Sequence, residues 1–267
     1  MRFQKWQALA NDYIIVEASE WPTDREPELV RALCDRHRGV GADGVLVLSP
    51  PDEPGYVARL RIFNADGSEA ELSGNGAREA ILYLRRQGWT DAQQFSLQTA
   101  AGEIRPTILS DTTCRVDMGR AMLRHAGELN GFAFQHLVIG NPQTVVEVGD
   151  AEELEALDLA AVGPPIESDA QFPQRTNVSW FARIEAGTIR ARIFERGVGE
   201  TASSGTGACG AAIVHVLRGG DSPVTVKLDG GELEVEVGED LHVDLTGWAV
   251  PVFAGEIDPA FGRGDPP

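Results

Sequence analysis

Residues 62–80 (IFNADGSEAELSGNGAREA) and 193–211 (IFERGVGETASSGTGACGA) spell one pattern twice, without a gap, at an offset of 131. Eight of the 19 positions are identical: Ile62/Ile193, Phe63/Phe194, Glu69/Glu200, Ser73/Ser204, Gly74/Gly205, Gly76/Gly207, Ala77/Ala208 and Ala80/Ala211. The echo runs beyond this pair. LANDYIIVE pairs with IGNPQTVVE, setting Asn11 over Asn141; AAGEI pairs with DGGEL, and VDM with VDL, all in the same order. A collinear set of this kind is the mark of a tandem duplication. It predicts two domains of one fold, 1–119 and 120–249.

Each half predicts the same mixture of elements. Short β-branched runs (YIIVE, VLVLS, ARLRIF, LVIG, IRARIF, VTVKL, LEVEVG, LHVDL) alternate apolar and polar residues, the period of half-buried strands. Directly after Ser-Gly-x-Gly-Ala, each half carries an Ala-rich apolar segment at helical spacing, AREAILYLRRQG and ACGAAIVHVLRGG, which ends at glycine with arginine in its last turn. Helices so apolar are expected to be buried. The fold class read from this is α/β (α+β): two homologous domains related by a pseudo-twofold axis, each a mostly antiparallel sheet wrapped around a central helix. ELVRALCDRHRG and DAEELEALDL read as further amphipathic helices, and FGRGDPP as a disordered tail.

Charge excludes whole classes of partner. The formal net charge is −18, with 41 acidic against 23 basic residues. That is the wrong sign for a phosphate backbone or an anionic membrane, so neither nucleic acid nor membrane is expected as a partner. The only lysines, Lys5 and Lys227, lie outside any Gly-rich phosphate loop or candidate site, which removes a P-loop and a Schiff-base enzyme. Cys34, Cys114 and Cys209 show no C-x-x-C spacing, so neither a disulfide framework nor a metal site is indicated. His37, His125, His136, His215 and His242 are scattered, and are expected at the surface or as hydrogen-bonded core residues. The start, MRFQKWQALANDY, has no apolar h-region, and a cytoplasmic protein is expected.

The doubled motif is the candidate site. Each half has a strand, a polar loop and then Ser-Gly-x-Gly-Ala opening a helix. Glycine lets backbone approach a ligand closely, and a helix N-terminus offers free N–H groups and a positive dipole end to an anion. A pseudo-twofold axis would set the two helix N-termini opposite each other across one small carboxylate ligand. Asn11, Asn64, Asn141, Asn177, Glu195 and Arg196 stand in Gly/Pro-rich loops nearby in sequence. Asparagine both donates and accepts, and arginine grips carboxylates.

These motifs resemble the diaminopimelate epimerase family, in ALANDYIIVE, DRHRGVGADGVL, FNADGSEAEL with GNGAR, GNP at 140–142, RTNVSWF and FERGVGET followed by SGTGA. The resemblance covers nearly the whole chain. It implies two α/β domains about a pseudo-dyad, a C-terminal strand (within 250–267) returning to the first domain, a homodimer, a small zwitterionic amino-acid substrate and no cofactor, pyridoxal phosphate included. It implies two-base proton transfer at Cα between LL- and meso-diaminopimelate. Gly74, Asn75, Gly205 and Thr206 would hold the reacting carboxylate, and Asn11, Asn64, Asn141, Asn177, Glu195 and Arg196 chiefly the distal end.

The family's two bases are cysteines. Here those positions are Ser73 and Ser204. A free thiol ionises near pH 8.5 and is readily tuned down at a helix N-terminus, whereas a hydroxyl is a far weaker acid and needs an adjacent base. Glu195 is the one neighbour in sequence able to help, and it cannot serve both serines. Cys209, about 140° around its helix from Ser204, reads as a buried core residue. Gln143 stands where the family usually has a site-ordering histidine, and Gly44 where some members carry glutamine. The reading is an epimerase scaffold, inactive or strongly impaired as written; a non-catalytic amino-acid-binding homologue and a racemase for another amino acid are the alternatives.

Overall fold

The structure, a computed structural model, describes residues 1–22 and 26–261. The tail expected to be disordered lies, from residue 262 onward, outside the described residues. The chain divides into two compact units: Met1–Arg115 with Trp248–Pro267, and Val116–Gly247.

The first unit contains β1 (Arg2–Ala8), β2 (Asn11–Glu17), α1 (Glu26–Cys34), β3 (Gly44–Ser49), β4 (Ala58–Asn64), β5 (Glu69–Ala70), α2 (Gly74–Arg86), β6 (Leu97–Thr99), β7 (Gly102–Ile104) and β8 (Pro106–Ile108). The chain's last strand, Val250–Glu256, pairs antiparallel with β1, so one sheet runs last strand–β1–β2–β3–β4–β6–β7, with β5 on β4. The second unit begins within β9 (Thr113–Arg120) and continues through β10 (Met122–Leu129), β11 (Phe132–Ile139), β12 (Asn141–Glu147), α3 (Ala151–Ala156), α4 (Leu159–Glu167), β13 (Asn177–Glu185), β14 (Thr188–Glu195), β15 (Gly199–Thr201), α5 (Gly205–Leu217), β16 (Val224–Leu228), β17 (Gly231–Val237) and β18 (His242–Trp248). Its sheet runs β10–β11–β12–β13–β14–β16–β17–β18–β9–β8, with β15 on β14.

The first order corresponds to the first seven strands of the second, and β5 to β15. Both sheets are antiparallel except at equivalent pairs: β2–β3 and β4–β6 in the first unit, β12–β13 and β14–β16 in the second. The first unit draws its outermost strand from the far end of the chain, where the second uses β10. One long helix packs against each sheet. α2 packs on β1, β2, β3 and β4, and α5 on β11, β12, β13, β14, β16 and β17. Their burial is nearly complete, from Asn75 to Leu84 and from Gly205 to His215. Ala77, Ala80, Ala208, Ala211 and Ala212 let the sheet approach closely, which is why these helices are alanine-rich. ELVRALCDRHRG is helical only to Cys34, and DAEELEALDL breaks at Leu157, where Asp158 caps α4 through the Ala161 amide.

One histidine departs from expectation. His215, in the last turn of α5, is 3% exposed, and neither ring nitrogen has a hydrogen-bond partner among the described residues. Apolar burial leaves no room for one: the ring fills the space over Gly220 and meets Phe181 edge-on. Burial, with the Arg183 charge, pushes its pKa down. The unfolded chain therefore takes up a proton near pH 6.5 that the folded chain refuses, and stability falls as pH drops through that value, by up to about 1.4 kcal/mol per pH unit. His215→Phe is expected to shrink the difference between urea-unfolding midpoints at about pH 7.5 and about pH 5. An unchanged difference would contradict this account.

Candidate active site

In the first unit, Ser73 is the N-cap of α2, in extended conformation, and its Oγ accepts from the Gly76 amide at 3.1 Å. This is the standard use of serine before a helix, with its oxygen serving an otherwise orphaned N–H. The Tyr13 hydroxyl, from β2, donates to the same Oγ at 3.1 Å. Asn75, in the first turn, donates to Asn11 Oδ1 (3.2 Å) and accepts from Arg78 (2.5 Å), while Asn11 donates to Asp43 (2.8 Å). Asn11 follows a two-residue turn, Leu9–Ala10, in which both residues hold left-handed φ (54° and 62°), the twist that a tight hairpin requires. Lys5 and Arg36 bind Asp12, and Arg36 also binds Asp43. Burial works to raise the pKa of Asp12, but the hydrogen bonds from Arg36 and Lys5 outweigh it and hold the carboxyl below its usual range. Asn64 stands opposite Gly44 in the β3–β4 register, is exposed, and donates to Ser68 Oγ at 3.0 Å.

The second unit repeats the plan with other side chains. Ser204 caps α5, accepting from the Gly207 amide at 3.3 Å. Burial raises the pKa of the neighbouring Glu195 carboxyl, and the Ser204 hydroxyl pulls it back part of the way. Gln143, fully buried on β12, donates through Nε2 to Asn141 Oδ1 (2.5 Å) and to Thr206 Oγ1 (3.1 Å). β12 and β13 run parallel with Gln143 beside Asn177. Asn177 Oδ1 accepts from the Arg196 amide (2.8 Å), and the Arg196 guanidinium donates to the Gln174 carbonyl (2.8 Å). The second glycine of each motif has a steric reason. A Cβ on Gly76 would press on Leu46 and Ser73 Oγ, and one on Gly207 would lie 2.7 Å from Ile193.

The expected residues thus fall into two groups, one per unit. Asn11, Ser73, Gly74 and Asn75 gather at the head of α2; Asn141, Gln143, Asn177, Glu195, Arg196, Ser204, Gly205 and Thr206 gather at the head of α5. Asn64 joins its group only through the strand register. Glu195 neighbours Ser204, and Cys209 is wholly buried. The sequence reading missed Tyr13, Asp12, Asp43 and Arg36. The signal for Tyr13 was present: at the offset of 130 that sets Asn11 over Asn141, Tyr13 falls on Gln143. It also missed a cluster around one histidine. Asp117, His242 and Asp244, on β9 and β18, place their side-chain heads within 4.8 Å of one another, with His242 Nε2 3.0 Å from Asp117.

Comparison with known proteins gives one family. Residues 3–123 and 136–251 match the sequence profile of diaminopimelate epimerase. The chain is 40% identical to the diaminopimelate epimerase of Aromatoleum aromaticum and 38% identical to that of an Azoarcus species, in each case over 97% of this chain and 99% of the relative. Among solved structures, a PhzF-family phenazine biosynthesis protein of Bacillus anthracis matches at TM-score 0.74 and 15% identity, covering 96% of this chain and 98% of that one. A hydroxyproline epimerase of Agrobacterium vitis matches at 0.69 and 16%, covering 98% and 94%. At such identities the two structures speak for the fold alone.

The two caps are expected to respond differently to pH. Ser73→Ala and Ser204→Ala each remove an N-cap, worth about 1 kcal/mol. Ser204→Ala also removes the hydroxyl that favours the ionised form of Glu195, a loss felt only while that group is ionised. Urea unfolding is therefore expected to show Ser204→Ala costing more at about pH 7 than at about pH 4, with the cost of Ser73→Ala unchanged over that interval.

Proposed function

The chain belongs to the diaminopimelate epimerase family, and on that footing we propose that it binds diaminopimelate as an epimerase does but is inactive or strongly impaired in turnover. The observation that carries this is the pair of serine hydroxyls, Ser73 Oγ and Ser204 Oγ, each seated as the N-cap of its unit's buried helix. An epimerase with two bases needs one group to remove the Cα proton and a second to return one to the opposite face. In this reading residues 73 and 204 hold those two posts.

Binding survives the exchange to serine. The first turns at Gly74 and Asn75 and at Gly205 and Thr206 would hold a carboxylate, with the dipoles of two 13-residue helices behind them. Asn11, Asn64, Asn141, Asn177, Glu195 and Arg196 supply the mixed donors and acceptors that a zwitterion requires, and Gln143 orders the second group through Asn141 and Thr206. The donor set needs no metal or organic cofactor for this task. A homodimer in the cytoplasm, as part of lysine synthesis, completes the proposal.

Proton transfer does not survive it. Each pKa unit costs about 1.36 kcal/mol, and the hydroxyl lies many units above even a raised carboxyl such as Glu195. Glu195 therefore does not take the Ser204 proton. Ser73 has no carboxylate partner in the hydrogen bonds above; its side-chain neighbour is the Tyr13 hydroxyl. The expected result is Cα–H exchange with diaminopimelate in deuterated water slower by about 10²–10⁴-fold in the chain as written than in Ser73→Cys/Ser204→Cys. Equal rates would refute the impairment. Binding without exchange in the double variant would favour the non-catalytic homologue, and exchange with a different amino acid would favour the racemase.

A further inference from the structure

We propose that Tyr13 is a positioning residue for residue 73: its hydroxyl fixes the proton arrangement of that side chain and, where a thiol stands there, stabilises the thiolate. The role rests on the reading of position 73 given above, but the geometry is independent of it. Ser73 Oγ accepts twice, from the Gly76 amide and from Tyr13 Oη, each at 3.1 Å. A hydroxyl oxygen has two lone pairs, so both are in use, and the Ser73 proton is left to be donated outward. Ser204 Oγ accepts once, from Gly207, and its side-chain neighbour is the Glu195 carboxyl, whose ionised form the hydroxyl favours. The two serines thus stand in different surroundings.

The tyrosine is built into place. β2 and β3 run parallel with Tyr13 beside Gly44. A Cβ at Gly44 would lie 2.5 Å from Tyr13 Cε1, and 2.3 Å from the Phe63 carbonyl oxygen. Only glycine leaves room for the ring, which is buried and runs over that space to reach Ser73. Tyr13, Gly44 and Ser73 thus form one steric and hydrogen-bonded unit. At the equivalent place in the second unit Gln143 reaches the first turn of α5 through Thr206. Each sheet thus sends its third-position residue of the Asn-initiated strand to the head of its helix.

A thiolate at residue 73 would inherit the Tyr13 donor. Hydrogen bonding to the charged form lowers a pKa, and a bond to a charged partner is stronger than one between neutral groups. The resident cysteines leave this measurement clean: all three are buried, and burial pushes the thiols of Cys34 and Cys114 up to about 12.

The test is the pH dependence of iodoacetamide alkylation at position 73, read by mass spectrometry, in Ser73→Cys and in Ser73→Cys/Tyr13→Phe. Phenylalanine keeps the ring over Gly44, so packing is preserved. The expected result is that Tyr13→Phe raises the proton affinity of the thiolate at position 73 about tenfold; a change below about twofold would overturn the proposal. This readout needs no substrate, so it stands even if diaminopimelate proves not to bind. In the chain as written, Tyr13→Phe is expected to weaken diaminopimelate binding by calorimetry about three- to tenfold, the worth of one neutral hydrogen bond. Unchanged affinity beside a shifted alkylation profile would refute the role of the Ser73 donor in the ligand site while sustaining the thiolate effect.

Discussion

The hydrogen bond from the third amide of each central helix to a serine Oγ is the contact on which the site's geometry turns. It stops the helix at the residue where the chain leaves its polar loop, and so fixes which amides are left unpaired. Because α2 and α5 are buried over most of their length, neither helix can slide to choose another start. The sheet holds the helix, the helix presents its first turn, and the cap sets the position of one side-chain oxygen at that turn. Everything proposed about proton transfer concerns that single atom in each unit.

Much of this was legible in the sequence, for a definable reason. A repeat forces equivalent residues into equivalent places, so the recurrence of Ser-Gly-x-Gly-Ala after IFN and IFE located the helix starts, and Asn11 over Asn141 located the strands that flank them. Glu195, two positions after Ile193, could be named as the carboxylate near Ser204, and the Ser204 hydroxyl does lower its burial-raised pKa. Tyr13 carried one signal, its alignment with Gln143, and its residue type masked it. In NDYIIVE an aromatic residue at a buried strand position is indistinguishable from core, and only its length, with the space left by Gly44, turns it toward Ser73. Asp12, Asp43 and Arg36 were hidden for another reason: charged groups in turns usually face water, and their convergence on Asn11 depends on a parallel strand pair that periodicity does not reveal. His215 failed the opposite way, since a helix that ends against Gly220 buries its histidine without offering a partner.

The topology explains why the two halves could diverge in chemistry without diverging in shape. The duplicated strand order puts residue 13 and residue 143 at the same place, yet one is tyrosine and the other glutamine. Each is buried and each reaches the first turn of its own helix. What the fold demands at that place is a side chain long enough to span from the strand to the helix head and polar at its tip. It does not demand a particular pKa. The same latitude covers residues 64 and 195, where Asn64 is exposed and bonded to a neighbouring serine while Glu195 is half-buried.

Serine at positions 73 and 204 brings these strands together. As a cap, serine is among the best side chains available, and both hydroxyls are used that way, so the exchange leaves the helix start and its anion-binding amides intact. As an acid–base group it is poor, because the oxygen that accepts so well from an amide parts with its own proton only at great cost. Structural and catalytic demands that a thiol can meet together are thereby separated at one atom. On the proposed reading, a chain carrying serine at both positions keeps its helix starts and gives up the means of moving a proton.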